Sequence, residues 1–402
     1  MKQTIIYKLN PTKEQEGHLH NLCSIATKLY NTDNYLRRKE WDETGKIYGW
    51  YEARKPLKDN IWRLLLHSQT ADEVIHTLST NYKSWFKLRK KDKTANPPRF
   101  RKKEMLSPIT FNQGFKIVKD KIKLSVSRKY KIEKGINSIE LNFDLWKEGK
   151  GIAKMCQIIF KKEGWFAHIV YEIIEPEINL NDKVMAIDVG VINTAVTRDN
   201  QGNSTIYKGG ELLSVQRYYN KTIGKLQSTL TKQFPKRHSS KTLRKLNKKR
   251  NNQINQMIHT ISKKIVNEAK KNNVKTIVIG DITDIRKDKH WRKKSSQKLH
   301  SWSFSKLTQQ IEYKSILSGI RFVRVNEKYT SQTCSCCGTI RKNNRIKRGL
   351  YKCKICGRIQ NADVNGATNI LKKYLRIFNP EDRSSGCVAQ PKVSLIENVL
   401  SR

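Results

Sequence analysis

Two cysteine pairs, Cys334-x2-Cys337 and Cys353-x2-Cys356, stand fifteen residues apart late in this 402-residue chain. A pair with two intervening residues puts both thiolates on one tight loop, and two such loops complete a tetrahedral set around a single zinc ion. Gly338 and Gly357 follow the second cysteine of each pair, where a knuckle turn needs a residue tolerant of positive φ. The pattern therefore fixes a zinc ribbon. Four thiolates leave no open position, so this zinc is structural rather than catalytic. Cys336 is a substitute ligand of poorer spacing, while Cys23, Cys156 and Cys387 stand alone as ordinary thiols. Close pairing reads as metal before disulfide, and so argues against a secreted scaffold.

Around that module the chain is strongly basic: 81 Lys and Arg against 35 Asp and Glu give a formal net charge of +46. Such a surface repels itself unless a polyanion covers it, which sets aside most soluble metabolic enzymes. The amino terminus lacks an apolar leader, and no run approaches the roughly eighteen apolar residues of a membrane span. The expectation is a soluble, cytoplasmic protein, nucleoid-associated when on DNA. An anionic membrane would call for a basic amphipathic helix or a lipidation signal, and neither is evident. Positive charge interleaved with aromatics suits a phosphate backbone with stacked bases. The plain alternative is a ribosome-like or histone-like packing protein without chemistry.

Periodicity divides the chain. A short alternating strand, Lys2 to Leu9, precedes Asn10-Pro11-Thr12, where Thr12 caps a helix carrying Glu14, Gln15 and Glu16 in its first turns. Helical patterning runs with breaks to about Lys91, and Pro97-Pro98 ends it in a rigid basic turn. From Ile109 to Ile174 the period is two, which predicts short strands in a small barrel. A buried strand over Val184 to Asp188 opens a second region, followed by strands through Thr197 and around Ser204 to Tyr207. Leu212 to Asn267 carries fourteen Lys or Arg and no acid over fifty-six residues. A merely solvated helical face would use intrahelical ion pairs, so this stretch is expected to be a helical hairpin along a nucleic-acid backbone. Thr276 to Gly280 is another buried strand, Arg286 to Lys298 a basic loop, Phe304 to Leu317 a helix and Gly319 to Asn326 a strand. A terminal helix is expected over Ala362 to Leu375.

The few carboxylates are informative against this background. Asp188 ends an apolar strand, and a lone buried carboxylate costs several kcal/mol unless paired or metal-bound. Asp363 opens a helix just after the cysteine module, where the helix dipole alone would also favour an acid. Together they read as ligands for divalent metal: two Mg²⁺ ions held by carboxylates activate water and stabilise a leaving 3′ oxygen in phosphodiester hydrolysis.

The order of Asp188, Thr330-Ser331-Gln-Thr-Cys334-Ser-x-Cys337-Gly338 and Asn361-Ala-Asp363-Val-Asn-Gly-Ala-x-Asn369-Ile370 resembles the TnpB nucleases of insertion sequences. These are relatives of the Fanzor proteins and of compact type V CRISPR effectors. Tyr7-Lys-Leu-Asn-Pro-Thr-x-x-Gln15, Pro98-Arg-Phe100 and Trp302-x-Phe304 extend the likeness over nearly the whole chain. The resemblance implies a mixed α/β, multidomain fold. An oligonucleotide-binding-type β-barrel wedge domain would take residues 1–10 plus 105–178, and a helical recognition domain 11–104. An RNase H-like RuvC nuclease domain would take 179–329 plus 358–377, with a zinc ribbon at 330–357 and a flexible tail at 378–402. It also implies a protein that binds a guide RNA of the omega type and cleaves matching double-stranded DNA beside a short flanking motif, through an RNA–DNA heteroduplex; the sequence leaves the oligomeric state open, with a monomer favoured.

One departure matters. The family normally places a glutamate at the end of the strand that here reads Val278-Ile279-Gly280-Asp281. Asp281 does not simply replace it, because successive strand side chains point to opposite faces. Glu327, at the end of the next strand, is the better replacement, as in family members with a relocated glutamate. Glu268 is a weaker candidate that reads as an outer helix residue. The expected Mg²⁺ site is thus Asp188, Glu327 and Asp363, and the expected zinc ligands are Cys334, Cys337, Cys353 and Cys356. The alternatives are an RNA-guided DNA-binding repressor that has lost cleavage through Gly280, a compact type V CRISPR effector, and, more remotely, a DNA-joining transposase.

Overall fold

The computed structural model describes residues 1–144, 149, 151–178, 182–235, 237–282, 296–297, 302–347, 349–375 and 391–394. The expected basic loop at 286–298, apart from 296–297, lies outside the described residues, as do Arg348, Cys387 and most of the 378–402 tail. The chain divides into two compact units, Met1–Ile174 and Glu175–Arg402.

In the first unit, strand β1 (Lys2–Lys8) alternates exposed and buried residues, sending Ile5 and Tyr7 inward. Helix α1 (Lys13–Thr44) starts in a capping box in which Thr12 and Gln15 satisfy each other's backbone N–H groups. It ends at Gly45, whose φ of 68° needs a residue without Cβ strain. Short helix α2 (Ile61–Leu65) and helix α3 (Ser68–Arg89) follow. Buried within α1, Arg37 makes two hydrogen bonds to Asp33 and donates to the carbonyls of Tyr48 and Ile75. That ion pair stitches α1 to α3 and to the loop between them.

The period-two region forms strands β2 (Ile109–Phe111), β3 (Phe115–Val118) and β4 (Lys121–Ser125), helix α4 (Arg128–Lys134), and strands β5 (Ser138–Asn142), β6 (Ile152–Lys161) and β7 (Gly164–Glu172). Their ladders make two antiparallel sheets, ordered β1-β7-β6-β2 and β3-β4-β5, joined by an isolated Leu9–Phe143 bridge. The expectation of a single small barrel differs here. Among the described residues β2 pairs only with β6, and the Asn112–Gly114 turn sends the chain into a new ladder.

The second unit is built on one mixed sheet. Strands β8 (Val184–Asp188), β9 (Asn193–Asp199) and β10 (Ser204–Lys208) lead into the long helices α5 (Gly210–Gln233) and α6 (Lys241–Lys271). Strand β11 (Thr276–Asp281), helix α7 (Phe304–Ile316) and strand β12 (Arg321–Asn326) come next. The cysteine module carries the small strands β13 (Arg345–Lys347), β14 (Leu350–Lys352) and β15 (Ile359–Gln360), and helix α8 (Ala362–Leu375) follows. The sheet order is β12-β11-β8-β9-β10-β16, where β16 (Lys392–Ser394) is an edge strand inside the segment expected to be a loose tail.

Strands β12, β11 and β8 are parallel, and β11 is buried from Thr276 to Gly280, as a strand covered on both faces must be. On one face Ile254, Ile258, Ile261 and Ile265 of α6, spaced three and four apart, pack with Met185, Ile187, Ile277, Ile279 and Leu307. On the other face Ile370 and Leu371 of α8 cover Val184, Ala186 and Val278. The acid-free stretch is indeed a pair of helices. Tyr219 and Ile223 of α5 meet Leu243 of α6, and every described lysine from Lys221 to Lys249 is exposed.

The Asp33–Arg37 pair yields a stability prediction. Asp33→Ala leaves the guanidinium buried without its counter-charge, and is expected to cost about 3–5 kcal/mol in denaturant unfolding. An unchanged unfolding midpoint would contradict this account of α1.

Candidate active site and metal centre

The central strand β8 is buried through Ile187 and ends on Asp188. Its neighbour β11 runs parallel, and β12 lies beyond β11. Glu327 follows the last residue of β12, so its side chain must cross the end of β11 to approach Asp188. Gly280 makes that crossing possible. A Cβ at Gly280 would lie 3.1 Å from both Cδ and Oε2 of Glu327 and 3.0 Å from Cδ1 of Ile370. The Glu327 carboxyl thus occupies the space above β11 that a side chain at position 280 would take. There it shares a hydrogen bond with Asp188. Asp281 is exposed at the strand end, level with Asn326, and its charge acts on Glu327 from the side.

Helix α8 closes the site from the other direction. A Cβ at Gly366 would stand 2.7 Å from Oδ2 of Asp188, so this helix approaches the carboxylate as closely as it does only because residue 366 has no side chain. One turn earlier on the same helix, Asp363 accepts from Asn193 Nδ2 at 2.7 Å and from Arg345 Nη2 at 3.0 Å. Asn361 caps the helix, its Oδ1 accepting from the N–H groups of Asp363 and Val364.

Burial raises the Asp188 carboxyl well above its ordinary range, and the charges of Glu327 and Asp363 and the Glu327 hydrogen bond add to the shift, while Arg345 opposes it. Burial also raises Glu327; the Asp188 hydrogen bond opposes this and Asp281 adds to it. Two carboxylates this close do not both ionise without a cation, so the pair retains a proton. Glu327 Oε2 is buried and has no hydrogen-bond partner among the described residues. An all-oxygen donor set with an orphaned buried oxygen fits a hard divalent cation. The three carboxylates do not form a closed cage. Asp188 and Glu327 are joined directly, whereas Asp363 faces Asn193 and Arg345.

The four cysteines are brought together completely. Their sulfurs all lie within 4.8 Å of one another, the only such set of potential metal donors among the described residues. Gly338 and Gly357 take φ of 74° and 71°, as the knuckles require. Cys336 stays outside the set. Asn344 is fully buried beside it, with Nδ2 directed at Tyr351 Oη and Cys353 Sγ and Oδ1 accepting from Lys354 N–H.

Sequence reasoning missed the asparagines that join the two centres. Asn365 Nδ2 donates to Thr333 O and its Oδ1 accepts from Ser335 N–H, while Asn369 Nδ2 donates to the carbonyls of Thr330 and Thr333. The first knuckle is thereby bolted to the helix that carries Asp363. The spacing Asn361, Asn365, Asn369 places all three on one helical face, and that period was the available signal. Glu268, expected on an outer helix face, instead turns inward. It accepts from Thr197 Oγ1 at 3.1 Å, from Thr205 Oγ1 at 2.7 Å and from Tyr207 Oη, which makes it a bracket between α6 and strands β9 and β10.

Residues 304–370 match a family model described as the Cas12f1-like TNB domain, and residues 168–286 match one described as a probable transposase. A TnpB-like protein of Methanocaldococcus jannaschii is 31% identical over 281 residues, which cover 67% of this chain and 97% of that protein. The CRISPR-associated endodeoxyribonuclease Cas12f1 of Sulfoacidibacillus thermotolerans is 33% identical over 220 residues, 52% of this chain. The chain spans 50% of that relative's length. The cryo-EM structure of a Cas12f1–sgRNA–target DNA complex shares the fold, with a TM-score of 0.63 at 16% identity, over 92% of this chain and 98% of that one. No described helix is long and apolar enough to cross a membrane.

The approach of α8 to Asp188 yields a second prediction. Gly366→Ala overpacks the contact and is expected to cost about 1–3 kcal/mol of stability. Thermal unfolding checks this; a variant as stable as the parent would show that the helix does not need its glycine.

Proposed function

The chain belongs to the TnpB family, and on that premise we propose that it is an RNA-guided DNA endonuclease of a transposon-associated system. It would bind a guide RNA and cut complementary double-stranded DNA beside a short flanking motif. The observation that carries this reading is the Asp188–Glu327 carboxyl pair, buried over Gly280 in a chain of net charge +46. A polyanion-binding surface has no use for such a pair unless a cation joins acid to phosphate.

In this reading Asp188, Glu327 and Asp363 would hold the divalent ions. Mg²⁺ supplies activation of the attacking water and neutralisation of charge on the leaving 3′ oxygen. The residues of the chain do the positioning. Gly280 and Gly366 leave room for the carboxyls, Asn193 orients Asp363, and Arg345 balances Asp363 until metal arrives. The mixed sheet with α6 and α7 on one face and α8 on the other suits an RNase H-like RuvC nuclease domain. The two small sheets of the first unit suit the wedge domain and helices α1 to α3 the recognition domain. Zinc on the four cysteines would order the ribbon, whose Arg341, Lys342, Arg345 and Lys347 add contacts to nucleic acid. Helices α5 and α6, basic and free of acid from Leu212 to Asn267, would follow the guide or heteroduplex backbone, leaving sequence to base pairing. The protein would act as a monomer in the cytoplasm.

The second reading is an RNA-guided repressor, favoured by Gly280 standing where the family resemblance leads one to expect a glutamate. The two part on one experiment: recover the protein with its co-bound RNA and offer a target library with Mg²⁺. Cleavage is expected; guided binding without cleavage at any divalent ion would leave the repressor. Glu327→Gln should lower cutting about a hundredfold or more while target binding persists, the scale of losing one electrostatic stabiliser. Asp281→Asn should be milder, and the reverse order would move the assignment to Asp281. Metal analysis should return one zinc per chain, and chelation should unfold the ribbon, because structural zinc contributes folding free energy.

A further inference from the structure

In the first unit, between the C-terminal ends of α1 and α3, lies a cavity of about 350 Å³. Its volume falls at the small end of ligand clefts, which run roughly 300–1,000 Å³. It is far too small for a helix of nucleic acid and large enough for a single nucleotide. Trp41, Tyr82 and Trp85 meet Arg38, Arg89 and Lys93 in its walls, with Asp42 as the acid and the apolar Ile47, Ala95 and Pro97 completing the lining.

Trp85 is buried and its Nε1 donates to Ala95 O at 2.9 Å, so its ring is fixed. Trp41 stands edge-to-face against it at 6.0 Å between centroids, and is only half-buried. The Arg89 guanidinium covers both rings, 5.6 Å from Trp41 and 5.1 Å from Trp85, while remaining exposed to solvent. Arg38 donates through Nη2 to Pro98 O at 2.7 Å, but its enclosed Nε has no hydrogen-bond partner among the described residues.

A core that merely closed the end of the helix pair would leave no cavity of this size. Here a fixed indole, a half-open indole and three cations surround a space with an unsatisfied donor in its wall. We propose that this cavity takes one unstacked nucleotide of a bound nucleic acid, its base against Trp41 and its phosphate on Arg89 and Lys93. Arg89 holds the ring face by a cation–π contact when no base is there and moves to the phosphate when one arrives. The inference deepens the proposed function by adding a site for an extruded base, and rests on that reading for the source of the nucleotide. The source is either the guide RNA or the target DNA.

The test begins with AMP and dAMP as probes and the full-length protein without guide. Saturation-transfer NMR should show the adenine protons in contact with protein. Trp41→Ala should weaken this about five- to hundredfold, the range for removing one stacking ring. Trp41→Phe, which keeps a ring, should retain most of it, and unchanged thermal unfolding of the Phe variant guards against misfolding. Arg89→Ala should weaken AMP more than adenosine. In the reconstituted complex, crosslinks to the peptide bearing Trp41 or Trp85 are expected either from 4-thiouridine in the RNA or from 5-iododeoxyuridine in the DNA. The reactive strand names the source. Nucleotide contacts indifferent to Trp41→Ala, or no crosslink from either strand, overturn the proposal. Failure to recover any RNA with the protein would instead count against the functional reading, and leaves the AMP measurement standing as the test of the pocket.

Discussion

At the end of the parallel strands of the second unit two half-buried carboxyl groups stand side by side. Like charges in a low-dielectric site repel strongly, and the cost falls only if a proton or a cation lies between them. Asp188 and Glu327 pay that cost at the end of the parallel strands, where the sheet offers no side chain at Gly280 and the helix opposite offers none at Gly366. Two missing Cβ atoms therefore create the room for two acids. Filling either position with a side chain would move a carboxyl, not merely crowd a core. The sheet, with Ile370 and Leu371 below and the isoleucines of α6 above, gives these strand ends a rigid frame.

This constraint shows how an acid that follows one strand can fill the space above its neighbour. Gly280 and Glu327 are adjacent in space because β11 and β12 are parallel and in register, Gly280 opposite Val325 and Asp281 opposite Asn326. The carboxyl of Glu327, the residue directly after β12, reaches the space that a side chain at 280 would take. Asp281 shares the strand end but not the face, and its charge raises Glu327. The position of the acid in the sequence is thus less restricted than its position in space.

Local rules made much of this visible before any coordinates. The cysteine spacing specified a four-thiol set, Thr12 marked the start of α1, and a helix expected over roughly Ala362 to Leu375 is where α8 lies. What stayed hidden depends on contacts between distant segments. The inward turn of Glu268 is set by hydroxyls on β9 and β10, and nothing in the helical period of α6 announces three hydroxyl donors waiting for it. The Asp33–Arg37 pair looks like an ordinary surface i, i+4 pair until α3 is packed over it. The barrel expected from alternating strands becomes two ladders because alternation sets which face is buried, not which strand is the partner.

The cysteine module and the carboxyl pair have separate chemistry but a shared mechanical link. Asn365 and Asn369 spend their side-chain amides on the backbone of residues 330 to 335, so the first knuckle and α8 form one piece. Glu327 precedes that segment directly, and Asp363 and Gly366 lie on the helix to which it is bolted. From the side of the ribbon, Arg345 reaches Asp363. A disturbance of the thiol cluster therefore acts on the strand end that presents Glu327, on the helix that presents Asp363, and on the glycine that admits Asp188. A metal held by the four cysteines would thus act on the carboxyls without touching them, through the knuckle and the helix that Asn365 and Asn369 join.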